Sequence, residues 1–197
     1  SDLRRQRQMC IRDRLTSGIE ARRTLNRALK TRWNITRVYS LSVLAGNGRK
    51  TNQSEFFTNR NYFIRSNEIE PKFTFQPGVK FRASVFYNYE EKDNSLAYGG
   101  EELVSQTVGT EFRYNVASKG SFRALFQYID NVFSPTNNAA LSYEMMEGLQ
   151  QGTNMTWELN YQQNLSKHMQ LSVNYNGRVS DDSPVIHTGG VQVRAFF

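Results

Sequence analysis

Two histidines, His168 and His187, are the only imidazole side chains in the sequence. His187 follows a segment that contains Asp181, Asp182 and Ser183, so the residue types of a Ser–His–Asp hydrolase occur close together. Aspartate, serine and proline are also the usual residues of turns, because they stabilise turn backbone. The stretch SDDSP therefore indicates a turn, and no catalytic residue is predicted. A hydrolase with a loop active site remains an alternative.

Metal and cofactor chemistry has little support in the sequence. Cys10 is the only cysteine, so neither an intrachain disulfide nor a cysteine-based metal site can form. No HExxH motif and no carboxylate cluster with ligand spacing is present. The glycine motifs at 46–48 and 98–100 do not join a strand to a helix, as phosphate-binding loops do. We therefore expect no enzyme activity, no cofactor and no metal site.

The charge balance raises the possibility of an anionic partner. The net charge is +7, but much of the excess precedes Arg37. The remaining basic residues are spread along the chain and form no stripe with interleaved aromatic residues, the pattern typical of a nucleic-acid interface. We expect no nucleic-acid partner.

The opening residues, 1–14, differ from the rest of the chain. Their sequence, SDLRRQRQMCIRDR, resembles translated sequencing adapter, which occurs at the ends of proteins from metagenomic assemblies. A basic arm is the alternative, with RRQR as its evidence. The segment has no apolar run of the kind found in signal peptides. We interpret residues 1–14 as non-native, and we expect the natural N-terminus and any export signal to lie outside this sequence.

Alternation of apolar and polar residues dominates from Arg32 onward and predicts an all-β protein. In VKFRASVFYNYE, six apolar or aromatic residues share one phase, and Phe86 is the exception in the other phase. About eight strands are expected, the first two near Trp33–Leu44 and Tyr62–Phe75. Residues 15–31 could be helix or strand. The remaining strands begin near Val79, Val104, Phe122, Met155, Met169 and Val185.

Loop lengths add a topological argument. Long connections such as AGNGRKTNQSEFFTNR and EKDNSLAYGGEE alternate with short ones such as QPG, and the last, SDDSP, is intermediate. An up-and-down transmembrane β-barrel segregates loops in this way, with short periplasmic turns and longer extracellular loops. Aromatic residues near the strand ends favour the interfacial girdles of such a barrel. These residues are Tyr87, Tyr89, Phe112, Tyr114, Phe196 and Phe197.

The last strand supports the same interpretation. Val191, Val193, Ala195 and Phe197 share one phase, and the chain ends on the aromatic residue. This pattern resembles the C-terminal assembly signal of bacterial outer-membrane barrels. The resemblance implies recognition by the barrel-assembly machinery through this strand.

A wider resemblance covers roughly residues 50–197. The stretches LSYEMMEGLQQGTNMTWEL, VNYNGRVSDD and VIHTGGVQVRAFF look like the C-terminal region of large outer-membrane barrel proteins of the Bacteroidota, a group for which the resemblance implies fold and location but no activity. Residues 32–197 are then expected to be the C-terminal part of a larger barrel in the bacterial outer membrane. The missing N-terminal part and the lipid bilayer would be its partners.

The polar phases would line the interior of that barrel. They contain arginines beside carboxylates and amides, which would fill a narrow lumen or line water in a wide one. The charged members are Arg82, Arg113, Arg123, Arg178, Arg194, Glu111 and Glu158. Transport or surface display is the function expected, and a soluble secreted β-sandwich that binds a ligand is a further alternative.

Overall fold

The computed structural model of the chain is a single antiparallel sheet of ten strands, each hydrogen-bonded to its neighbours in sequence. It describes residues 2–15, 18–55, 57–116, 119–134, 139–181 and 183–196. The strands are β1 (Asp2–Leu15), β2 (Gly18–Asn34), β3 (Tyr39–Ser54), β4 (Tyr62–Phe75), β5 (Phe81–Asn94), β6 (Glu102–Val116), β7 (Gly120–Phe133), β8 (Gly152–Ser166), β9 (Met169–Ser180) and β10 (Ile186–Ala195).

The predicted all-β, up-and-down architecture is confirmed. β1 and β10 do not pair with each other among the described residues, so the sheet is open, as in a partial barrel. A β-sandwich has two packed sheets, whereas the described residues form a single sheet. No α-helix in the described part of the chain is long and apolar enough to cross a bilayer.

Two strands more than expected are present, because residues 2–15 form β1 and residues 18–34 form β2. For residues 15–31 the sequence leaves helix and strand open, and the structure has a strand, β2, over Gly18–Asn34. The interpretation of 1–14 as non-native stays a prediction. In β1, Arg14 is opposite Ile19 of β2, and Gln8 is opposite Leu25. Polar residues of β1 are thus paired with apolar residues of β2, so the matched alternation of the later strands does not extend to β1.

The predicted strand Trp33–Leu44 is wrong, because a turn at 35–38 divides it. The Thr36 hydroxyl accepts hydrogen bonds from the backbone N–H groups of Val38 (3.2 Å) and Tyr39 (3.0 Å). Such side-chain bonds compete with the ladder and favour a turn. The segment AGNGRKTNQS, expected to be a loop, instead continues β3 to Ser54, because it is paired with β2 and β4 on both sides.

From β2 onward the predicted segregation of loops is also observed. Turns at 35–38, 76–80 and 167–168 lie at one edge of the sheet, which we call the short-turn edge. At the opposite, long-loop edge lie the connections 55–61, 95–101 and 134–151. The longest of these contains the helix α1 (Ala139–Met146), which the sequence analysis missed. Short 3-10 helices, Thr58–Arg60 and Leu96–Tyr98, occupy the other two.

The two faces of the sheet differ in burial. On the inner face, which contains Ser84 and Thr107, these residues are 3% and 8% exposed. On the outer face, which contains Val85 and Val108, they are 52% and 48% exposed. Because the inner face is shielded without a second sheet, the sheet must curl toward it. Eleven polar or charged residues are buried among the described residues, against nine apolar ones.

Pro71 lies within β4, where a proline cannot donate a ladder hydrogen bond. It is paired with Val43 of β3, whereas the register between β4 and β5 is interrupted there, passing from Ile69 to Lys72. The strand therefore tolerates Pro71 through a local gap in one of its two ladders.

Candidate functional site: the two faces of the sheet

An aromatic row crosses the outer face near the short-turn edge. It has one member on each strand from β3 to β8, and the rings of neighbouring members contact each other at its start. The Tyr39 and Phe75 rings stack with centroids 5.2 Å apart, and Phe75 meets Phe81 edge-on at 6.2 Å. The row is Tyr39, Phe75, Phe81, Tyr114, Phe122 and Tyr161, and it is continuous in strand register from Phe81 onward.

An apolar band lies between this row and the middle of the strands. On β5 the outer face is apolar or aromatic from Phe81 to Tyr89 and becomes acidic at Glu91. Ile69 is paired with Tyr89, and the next outer residue of β4 toward the long-loop edge, Asn67, is paired with Glu91. At about 3.4 Å per residue and a tilt of about 40°, the band is roughly 20 Å tall. The outer face therefore has a limited apolar height rather than scattered apolar residues.

The predicted aromatic girdle is only partly matched by this arrangement. Tyr114 belongs to the row, whereas Tyr87 and Tyr89 lie nearer the opposite limit of the band, where the Tyr87 hydroxyl donates to Gln106 Oε1 at 3.1 Å. The Phe196 N–H donates to the carbonyl of His168 at 2.8 Å, which fixes the end of the last strand at the short-turn edge.

The proposed assembly-signal residues lie on the outer phase of β10. Val191 is opposite Val173 of β9, and Val193 is opposite Leu171. Both valines are more than half exposed, and Ala195 is exposed as well. Phe197 lies outside the described residues. In the described sheet β10 has one neighbour, so its other edge and its apolar phase are both available for contact.

On the inner face a charge cluster is centred on Glu111 of β6. Its Oε1 accepts hydrogen bonds from Nη2 of Arg113 at 2.7 Å and from Nε of Arg123 at 2.8 Å. Its Oε2 pairs with Nζ of Lys72 at 3.0 Å. Nη1 of Arg123 also reaches Glu158 Oε1 at 3.2 Å. Three cations from three strands thus meet one carboxylate that is almost completely buried.

Seven charged residues are expected on the polar phase, and the strand register places all of them on this inner face. The cluster unites four of them, and it also includes Lys72, which the sequence analysis missed. Arg82, Arg178 and Arg194 form no ion pair within the part of the chain that the structure describes. The period-2 pattern could have identified Lys72, because it shares the phase of Thr74 on β4.

Phe86, the aromatic exception of the polar phase, has a local explanation. It lies directly opposite Gly109, where a Cβ atom would overlap its ring. The absent side chain lets the ring lie flat over the neighbouring strand, where it is 8% exposed. Nζ of Lys72 lies 5.3 Å from the ring centroid on the same face. The pair therefore places a cation–π contact beside the charge cluster.

At the long-loop edge the inner face is covered by α1. Leu141 and Met145 are 2% and 0% exposed and pack against an apolar group from three strands. That group consists of Tyr62 and Ile64 of β4, Leu103 of β6 and Phe133 of β7. The helix is short, and apolar burial is what holds it on the sheet.

A buried lysine fixes the end of that helix. Nζ of Lys92 donates to the carbonyl of Met145 at 3.1 Å and pairs with Glu147 at 2.9 Å and Glu90 at 3.0 Å. Burial opposes ionisation of Glu147, but the hydrogen bond and charge of Lys92 outweigh it and hold the pKa of Glu147 below its usual value. The helix is therefore attached by apolar packing and by a charged pair.

A cavity of about 330 Å³ lies on the inner face beside α1. Its walls carry hydroxyl and amide groups from four strands together with Lys92 and Glu90. The polar residues among its lining are Asn88, Ser105, Thr107, Gln127, Asn131 and Thr156. This lining favours water or a polar solute over an apolar one.

The candidate hydrolase residues do not converge. Nδ1 of His187 is hydrogen-bonded to the Tyr175 hydroxyl at 2.8 Å, on the outer face. Asp181 accepts a hydrogen bond from the Thr153 N–H at 3.0 Å, and Ser183 contacts Gln150. Asp182 lies outside the described residues. The described residues around this loop are thus engaged in turn and strand contacts.

No group of three or more His, Cys, Asp or Glu residues in the described part of the chain is arranged to hold a metal ion. No protein-family model matches the sequence, and a comparison with curated proteins found no match.

Proposed function

We propose that this chain forms part of the wall of a bacterial outer-membrane β-barrel, with the outer face in lipid and the inner face toward the lumen. The single observation that carries the proposal is the inverted distribution of side chains across the sheet. Large apolar side chains are exposed on the outer face, and polar ones are buried on the inner face.

The outer band supports contact with a bilayer. Outer-membrane barrels have an apolar band about 25 Å tall that is flanked by aromatic residues. The band here is of similar height, and the aromatic row borders it on the short-turn side. Outer-face charges such as Arg65, Glu91 and Asp130 lie on the long-loop side of the band. This asymmetry fits strands that extend beyond the membrane toward the extracellular loops.

The unpaired edge of β10 indicates which partner the sheet needs in a membrane. In hydrocarbon an unpaired strand edge leaves N–H and C=O groups unsatisfied, at a cost of several kcal/mol for each group. We therefore propose that the free edge of β10 pairs with another strand, and that Val191 and Val193 are presented to the barrel-assembly machinery before it does. Further strands of the same protein are the partner that the sequence resemblance implies.

The inner face favours passage or display of a polar solute over catalysis. The carboxylates Glu111 and Glu158 are engaged by cations. The cavity is lined by neutral polar groups together with Lys92 and the two carboxylates that pair with it. Loops at the long-loop edge would contact the exterior, and α1 would narrow the lumen from that side. We propose transport as the main role, with surface display through these loops as the companion role.

A pair of matched substitutions tests the membrane orientation. Val85 lies in the middle of the outer band, whereas Val132 lies on the same face beyond Asp130, toward the long-loop edge. In phospholipid vesicles, Val85→Arg should lower the free energy of unfolding by about 2–4 kcal/mol, and Val132→Arg by about 0–1 kcal/mol. Reversible urea unfolding of the vesicle-inserted protein measures both values.

The two positions are equally exposed apolar sites, so in water both substitutions should be nearly neutral. Equal costs for the two variants in vesicles would contradict the proposed depth. A protein that stays dissolved and folded without detergent or lipid would contradict the proposal altogether.

A further inference from the structure

A row of three arginines crosses the inner face near the short-turn edge. Arg82 of β5 is directly opposite Arg113 of β6, and Arg113 is directly opposite Arg123 of β7. Neighbouring strands are about 4.8 Å apart, so the three Cα atoms fall within roughly 10 Å. Like charges directly opposite each other on a sheet are destabilising. Such a row therefore needs compensating negative charge.

The described carboxylates compensate it incompletely. Glu111 and Glu158 lie one row farther from the short-turn edge, and together they face Lys72 and the three arginines. Glu111 is shared by three cations, and Arg82 forms no ion pair in the described part of the chain. Four cations thus lie near two carboxylates on a partly buried face, where unbalanced positive charge attracts anions.

The positions around the row leave the short-turn side open to an anion. Along the next strands the row continues with the amides Asn160 and Asn174. On β6 to β8 the row nearer the short-turn edge is neutral and polar, with Asn115 opposite Ser121 and Ser121 opposite Gln162. An anion approaching from that edge would therefore meet hydrogen-bonding groups and then the arginines, before it meets a carboxylate.

We propose that Arg82, Arg113 and Arg123 form a binding site for an oxyanion, a phosphate or carboxylate group of a solute in the lumen. Guanidinium groups bind these anions through paired N–H donors. Arg113 and Arg123 are 45% and 36% exposed in their side chains, so both retain surface for a ligand beside Glu111. The proposal rests on the proposed transport function and names the solute class.

Equilibrium binding by the full chain in detergent micelles tests the site without requiring transport. Inorganic phosphate and citrate are titrated separately at low chloride, with sucrose as a neutral comparison, and heat of binding is recorded. Saturable binding of at least one anion and none of sucrose is expected. Preference for phosphate or for citrate identifies which oxyanion the site takes.

Arg82→Gln is the informative variant, because Arg82 forms no ion pair with any described residue and its loss leaves the Glu111 cluster intact. It should weaken anion binding about tenfold, the effect of losing one charged hydrogen-bonding group. Arg178→Gln, which removes an inner-face arginine outside the row, should leave the affinity unchanged. Equal weakening by the two variants, or no saturable binding of either anion, would overturn the proposal. The Val85 and Val132 comparison in vesicles is independent of this result, so failure of the site and failure of the membrane orientation can be told apart.

Discussion

The inner face has two halves held together by different forces. In the long-loop half, α1 packs onto apolar residues and Lys92 is enclosed by carboxylates, with Glu68 directly opposite Glu90. In the short-turn half, arginines and Lys72 outnumber the carboxylates around Glu111. The first half is stabilised mainly by apolar packing of the helix, and the second by charge pairing. The comparison shows that one sheet can carry an acidic end covered by a helix and a basic end that is partly exposed.

Glu111 should be the most sensitive position, since its loss leaves three cations without their common carboxylate. Glu111→Gln is expected to lower the free energy of unfolding by roughly 3 kcal/mol, less than for a fully buried pair because two of its partners are partly exposed. Urea unfolding in detergent micelles measures the effect. Glu158→Gln, which removes a carboxylate with one cationic partner, is the control and should cost less than half as much. Similar losses of unfolding free energy in both variants would contradict the central role of Glu111 in the charge cluster.

Met145 tests the opposite half. Met145→Ala should destabilise the docking of α1 by about 2 kcal/mol, the lower end for a buried methionine, because a loop helix can partly collapse into the space. Hydrogen exchange should increase across α1 while β6 and β7 remain protected. Tyr143→Ala removes an exposed side chain of the same helix and should have little effect. Global loss of protection in the strands would show that the two halves are not separable.

Acidification should also destabilise the docking of α1, by less than Met145→Ala does. A carboxyl whose pKa is lowered by folding stabilises the folded state above its unfolded pKa, and this contribution is lost as the pH falls through the folded pKa. Glu147 is such a group, but its side chain is 64% exposed, so the pair with Lys92 contributes only about 0.5 kcal/mol. Protection factors across α1, which are corrected for the intrinsic pH dependence of amide exchange, should fall as the pH is lowered through the acidic range. The decrease should be absent in Glu147→Gln, and an identical decrease there would assign the effect to another group.

The sequence predicted the repetitive features of the fold well. Alternation placed the apolar and polar phases of β5 to β10 on the faces that the structure shows, and the order of loop lengths predicted the two edges. Alternation failed at 35–38, which form a turn. It also failed in the second half of β3, where polar residues form a strand because both neighbouring strands pair with them. It also missed α1, although AALSYEMM is rich in helix-forming residues.

What the sequence determined by itself was the phase of each residue, because successive strand side chains must point to opposite faces. This sufficed to assign Arg82, Arg113 and Arg123 to the polar face and Val191 and Val193 to the apolar one. Only the tertiary structure decided which residues of different strands stand opposite each other. Register is set by cross-strand pairing over the whole sheet, so the arginine row, the Glu111 cluster and the aromatic row become visible only once the strands are aligned.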